Sequence, residues 1–348
     1  MSISSENIDR HRRCFIGAAA LSAGAASLGV LFPSKAMAGA PSFASGGGNA
    51  PIGSLKNIDA GVLNIAYAEA GPSMGTPVIL LHGWPYDIHS FAEVIPILAN
   101  RGFRVIVPHL RGFGPTRFLA ADTVRSGEPA ATASDLIALM DALHIRSAIL
   151  GGFDWGARTA AAVAAVRPER VKGLVAVSGY IIGNQAGGRE PLSPAAEFQW
   201  WYQFYFATER GRAGYAKNTA EFNKQIWKQA SPRWNFDDAT FARSAAAFDN
   251  PDHVAVVIHN YRWRMGLAIG DPQYSDIASR LDKLPGIGVP TITMEGDANG
   301  APHLDPPAYR AKFTGKYEHR TITGGVGHNL PQESPLTFAQ AVIDVAQL

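Results

Sequence analysis

The stretch Ala148-Ile149-Leu150-Gly151-Gly152-Phe153-Asp154-Trp155-Gly156-Ala157 decides how this chain is read. An apolar, β-type run passes directly into a helical pattern, with a charged residue at the corner. Gly152 and Gly156 flank that residue where the backbone must close tightly and the helix must pack near the strand. A serine held on such a turn needs a base to remove its proton and suits acyl carbons. An aspartate is already charged and can displace a leaving group from saturated carbon, giving an enzyme ester that water must cleave. The plain alternative is an Asp154 that caps the following helix. Its setting at a strand end between two glycines favours the nucleophile.

Outward from this elbow, short apolar runs alternate with helical patterns. Strands are expected at Val62–Ala68, Val78–His82, Val105–Pro108, Ala148–Phe153, Leu174–Ser178, Thr291–Gly296 and Arg320–Thr323. Helices are expected between them, as at Thr132–Leu143, Arg158–Val166 and Leu336–Ala346. Near-continuous apolar strands separated by helices predict an α/β fold, a mostly parallel central sheet covered on both faces. The first strands, joined by short turns, form an antiparallel edge in this reading. The alternation stops between residues 180 and 284, where an aromatic-rich helical stretch reads as a cap over the strand C-termini. The core is then 54–179 and 285–348.

Composition narrows the partners. The 348 residues carry 31 Lys+Arg against 29 Asp+Glu and are 47% hydrophobic, the profile of a globular protein. His11-Arg12-Arg13-Cys14-Phe15-Ile16, a weakly apolar stretch to Phe32 and Ala36-Met37-Ala38 resemble a twin-arginine export signal with a small-x-small cleavage site. Residues 1–38 therefore read as a signal peptide and 39–53 as a flexible linker, with a periplasmic or secreted destination. A retained membrane anchor is the alternative, disfavoured because Gly, Ser and Pro33 dilute and end the apolar run. Removing residues 1–38 removes four cations and two anions and leaves 27 of each sign. No basic surplus remains for nucleic acid. The one cysteine, Cys14, falls in the signal, so the cleaved chain has no disulfide.

Three further motifs join the elbow. His82-Gly83-Trp84-Pro85 closes the expected strand Val78–His82, Arg111-Gly-Phe-Gly114 follows the expected strand Val105–Pro108, and Gly324-Gly-Val-Gly-His328 lies between the last strand and helix. With Gly152-x-Asp154-x-Gly156, they resemble the α/β-hydrolase superfamily, specifically its epoxide hydrolase and haloalkane dehalogenase branch, over roughly residues 55–348. The resemblance implies a catalytic Asp154, a general base at His328 and an oxyanion hole from the backbone N–H groups of Trp84 and Trp155. It leaves His82 a structural role and permits a cis Trp84-Pro85 bond. The acid that orients His328 is expected at Asp297. The family slot three residues after Gly296 holds Asn299, which would orient the imidazole without charge.

The leaving group divides the branch. Trp201-Tyr202-Gln203-Phe204-Tyr205-Phe206 and His259-Asn260-Tyr261-Arg262 resemble epoxide hydrolase lid motifs, which implies that Tyr202 and Tyr261 donate to the epoxide oxygen. Trp200, Phe204 and Phe206 are expected to build the lid core. The expected activity is opening of a small apolar epoxide to a vicinal diol, with no cofactor and no metal. A haloalkane or haloacetate dehalogenase with the same aspartate is the alternative. Arg158 points to carboxylate-bearing substrates, although haloacetate relatives carry arginine directly after the nucleophile, where this chain has Trp155. A catalytically impaired hydrolase acting as a small-molecule receptor is the second alternative, motivated by Asn299.

Overall fold

In the computed structural model, which describes residues 52–348, nine strands of the described chain form one sheet. They are β1 (Lys56–Ala60), β2 (Leu63–Ala70), β3 (Pro77–Leu81), β4 (Arg104–Pro108), β5 (Arg117–Phe118), β6 (Ala148–Gly152), β7 (Val171–Val177), β8 (Thr291–Gly296) and β9 (Tyr317–Ile322). Their order is β1-β2-β4-β3-β6-β7-β8-β9, with β5 paired to β2. Pairings of β2 with β1, β4 and β5 are antiparallel, and those from β4 through β3, β6, β7 and β8 to β9 are parallel. The expected signal peptide and all but the end of the expected linker lie outside the described residues.

Burial explains the parallel centre. Val78, Ile79, Leu80, Ile149 and Leu150 are buried to within 1% because helices cover both faces. Helices Pro129–Ala142 and Trp155–Val166 pack together on one side, and helices Val94–Asn100 and Pro335–Val345 pack together on the other. In the helix after the elbow, Ala160, Ala161, Ala162 and Ala164 are all buried. Alanine keeps helix propensity high while letting the helix lie close to β3, β6 and β7. Two strands escaped the sequence reading. β1 is mostly exposed and β5 has only two residues, so neither carries an apolar signature.

Between β7 and β8 the described chain is helical, with segments including Trp201–Ala207, Glu209–Lys217, Thr219–Ala230 and His253–Arg264. Thr208 and Asp237 cap helix starts through their side chains. Phe206 is fully buried, whereas Phe204 is 48% exposed, so only one of these two phenylalanines belongs to the lid core. Helix Ser275–Asp282 buries Ile277 and Leu281 and packs on helices Pro129–Ala142 and Trp155–Val166. Cover of the sheet thus resumes inside the stretch read as cap. Among the described residues, no helix is long and apolar enough to cross a membrane.

The other singled-out motif residues act as struts. Arg111 is buried and clamps Asp135 through Nε and Nη2 at 2.6 and 2.7 Å, while also donating to Ser126 and Tyr274. His82 is buried and accepts from Leu110 N–H, tying the loop after β3 to the loop after β4.

Candidate active site

The elbow holds Asp154 at φ 50° and ψ −121°, a region that side chains other than glycine's rarely enter. The flanking glycines make this possible. A Cβ at Gly156 would lie 1.9 Å from Leu81 O, and one at Gly152 would lie 2.7 Å from the Gly156 carbonyl carbon. Asp154 accepts no helix-capping bond from its own helix start. Its Oδ1 instead accepts from Trp84 N–H at 2.8 Å. Trp155 N–H, at the first helical position, is among the amides that a helix start leaves without an intrahelical acceptor. The Trp84 amide thus meets the carboxylate directly, and the Trp84-Pro85 bond is cis.

Burial alone would raise the Asp154 carboxyl. The His328 imidazole, the Arg158 guanidinium and the Trp84 amide outweigh it and hold the group below the ordinary aspartate value. His328 Nε2 faces Asp154 Oδ2 at 3.7 Å, a separation beyond direct hydrogen bonding. Its other ring nitrogen, Nδ1, is 3.1 Å from Asn299 Oδ1.

Asn299, and not Asp297, orients the histidine. The Asp297 carboxylate accepts from the backbone N–H groups of Gly324, Gly325 and Val326 and stays in the solvent-exposed turn. Three amides satisfy it where one imidazole was expected. Behind Asn299 lies Glu295, a buried residue of β8 that had no assigned role, whose Oε1 accepts from Asn299 Nδ2 at 2.6 Å. A carboxylate takes only donors, so Glu295 turns the Asn299 amide oxygen toward His328. Nδ1 must then carry the proton, leaving the Nε2 lone pair toward Asp154. The His328 loop is also braced from below. Ser231 Oγ accepts from His328 N–H, and Glu333 accepts from Gly327 N–H, Asn329 N–H and the Ser231 hydroxyl.

Across the cavity, Tyr202 and Tyr261 are buried, with ring centroids 5.3 Å apart in edge-on contact. Burial, chiefly, pushes both phenols above their ordinary range, so both are protonated donors at neutral pH. Each also packs on the Trp84 indole, at 5.2 and 5.0 Å. That indole donates to Tyr215 OH at 2.9 Å, and Tyr215 OH in turn meets Asn223 and His253. Trp84 thus spans the site, its amide on the carboxylate and its ring under the tyrosines. Sequence spacing gave no sign of Tyr215 or His253.

The resulting cavity is about 220 Å³ and is lined by Asp154, His328, Tyr202, Ile181, Ile226 and Trp200, among others. Arg158 and Arg264 also line it. Among the described residues, no group of three or more His, Cys, Asp or Glu side chains is placed to hold a metal ion.

Residues 76–213 match the family described as the alpha/beta hydrolase fold. A crystal structure of a candidate epoxide hydrolase from Klebsiella pneumoniae is 61% identical, with a TM-score of 0.84, covering 87% of this chain and 99% of that one. An epoxide hydrolase of Caballeronia sordidicola is 34% identical over 126 residues, 36% of this chain and 38% of its own length. A haloalkane dehalogenase of Mycobacterium marinum is 28% identical over 254 residues, 69% of this chain and 80% of its own. The chain matches well under half the length of the first curated epoxide hydrolases, and nearly the whole of the Klebsiella protein. On that full-length likeness the chain belongs to the α/β-hydrolase family, in the branch that holds epoxide hydrolases and a haloalkane dehalogenase.

Proposed function

We propose that the protein hydrolyses a small epoxide to a vicinal diol through an ester on Asp154, without a cofactor. The observation that carries the reading is the convergence of an ionised carboxylate, an imidazole with a free Nε2 and the protonated phenol of Tyr202 around one cavity, with the Tyr261 phenol packed against Tyr202. Asp154 attacks a ring carbon with the oxygen not held by Trp84. The carbon–oxygen bond breaks, and the leaving oxygen takes a proton from Tyr202 or Tyr261. Water then gives a proton to His328 Nε2 and adds to the ester carbonyl, with the Trp84 and Trp155 amides stabilising the oxyanion. Collapse frees the diol and Asp154, and the His328 proton returns to the tyrosine.

The relatives support both members of the branch, and the buried, protonated phenols of Tyr202 and Tyr261 favour epoxides. Halide release calls for N–H donors directed at the leaving group. The Trp84 indole already donates to Tyr215, Trp227 to the Pro85 carbonyl and Trp201 to Gln229, whereas the buried Trp155 indole N–H beside Asp154 has no partner among the described residues and is the donor a halide would use. The deciding experiment is turnover in ¹⁸O-water on a panel of epoxides and haloalkanes. Diol formation with label entering Asp154 over repeated turnovers is expected. Halide release without diol formation would move the protein to the other member.

We further infer that the twin arginines Arg12 and Arg13 direct export. Replacing both with lysine should abolish accumulation outside the cytoplasm, and unchanged export would refute the assignment.

A further inference from the structure

We propose that the epoxide carries a carboxylate, gripped by the guanidiniums of Arg158 and Arg264. This rests on the epoxide reading and adds the substrate class to it. Arg158 lies one helical turn beyond Asp154, and its backbone N–H donates to the Asp154 carbonyl. Its Nε donates to the Ile181 carbonyl at 3.2 Å, which leaves the terminal amino groups for the cavity. Arg264 ends the helix that carries Tyr261 and lies over the rings of Trp200 and Tyr261, at 5.2 and 5.6 Å.

Both guanidiniums are partly buried, and among the described residues neither has a carboxylate within salt-bridge distance. Side chains of this type are seldom taken out of water unpaired. Burial, and then the charge of Arg264, press Arg158 down to about 10, so the two cations share one environment. Asp154 is the sole carboxylate among the residues lining the inner cavity, and it is the proposed nucleophile. Glu190 and Glu197 line only the outer cavity and form no salt bridge with either guanidinium, so the counter-charge on the inner side is supplied by the ligand.

Position sets the shape of that ligand. Arg158, Arg264, Ile181, Ile182 and Trp200 line both the inner cavity and a wider one of about 530 Å³ outside it. The carboxylate would sit at this junction while the epoxide reaches Asp154. One helical turn, about 5.4 Å, separates the Asp154 and Arg158 backbones, so a few bonds link the two groups. The inner volume, about that of seven waters, suits a small epoxy acid.

The test compares 3,4-epoxybutanoate with 3,4-epoxybutanamide, which differ in charge at one end. The full-length protein should prefer the acid in kcat/KM. In Arg158→Gln and Arg264→Gln the acid-to-amide ratio should fall about 10- to 100-fold, the worth of one charged hydrogen bond. Arg→Lys at either site should keep part of it, since charge remains while the planar fork is lost. Calorimetric binding of unreactive cyclopropylacetate, against cyclopropylacetamide, gives a readout independent of turnover. Thermal melting checks that each variant is folded. The proposal is overturned if the amide is processed as well as the acid, or if the variants lower both equally. The latter would place the arginines behind Asp154 or the tyrosines. If neither epoxide is opened but cyclopropylacetate binds in an arginine-dependent way, the epoxide reading fails and the carboxylate site stands.

Discussion

Replacing Glu295 with glutamine should stall the second half of the reaction while sparing the first. Glu295 never touches His328. Its charge reaches the imidazole through the Asn299 amide, along contacts of 2.6 and 3.1 Å. With the width of the amide, the carboxylate oxygen lies at most ~8 Å from His328 Nδ1. At an effective dielectric of ~20, a charge pair at that distance is worth ~2 kcal/mol, or ~30-fold in the rate of a step that forms imidazolium. A second loss adds to it. Glutamine can donate to Asn299 Oδ1, which lets the amide reverse and present its NH₂ to His328. The ring proton would then move to Nε2, where no base remains. Attack by Asp154 does not need that base, so alkylated enzyme should accumulate. Rapid-quench single turnovers with intact-protein mass detection would separate ester formation from ester loss. Asn299→Asp alone should give no gain, because its carboxylate would face Glu295 at hydrogen-bond distance and both could not ionise. The pair Glu295→Gln/Asn299→Asp exchanges amide and carboxylate and should recover hydrolysis. Ester loss in Glu295→Gln within threefold of the parent would refute the relay.

Tyr202→Phe together with Tyr261→Phe should remove epoxide opening, with each single change costing ~10²-fold or more in kcat, as measured by diol formation. Asp154 is held below the ordinary aspartate value, so its charge, and the stability linked to it, persists at that pH and is lost only as pH falls through the depressed value. Single-turnover ester formation should accordingly continue at pH ~4, and a loss beginning near pH 5 would contradict it. Tyr215→Phe leaves the Trp84 indole N–H without its acceptor, and ~1–3 kcal/mol of stability should go with it in urea unfolding, along with a fall in kcat as Trp84 shifts. Arg111→Ala strands Asp135 in the core and should lower stability by ~3–5 kcal/mol by the same measurement.

The sheet and its elbow were legible because their signals are local. A buried parallel strand must be apolar throughout, and the turn holding Asp154 admits only glycine at the neighbours whose Cβ would strike Leu81 O or the Gly156 carbonyl carbon. Those constraints act between residues a few positions apart, or on every residue of a strand. The lid tyrosines were legible for a weaker reason, the likeness of two short motifs. Asp297 misled because spacing reports where a carboxylate is attached and says nothing of competitors. The Gly324–Val326 turn, folded against it, offers three N–H donors and takes it from His328.

By itself, then, the sequence determined an α/β sheet, an aspartate on a strained turn, a histidine loop near the C-terminus and a helical insertion between them. Tertiary structure alone decided which polar group meets which. Asn299 bonds His328 across 29 positions, and Glu295 gains its influence only by lying buried beneath that amide. Arg264 stands 110 positions from Asp154 and shares its cavity only because the lid folds over the sheet. Hydrogen bonds and unpaired charges depend on ångström-scale direction and on the exclusion of water, and both come into being only when distant segments pack.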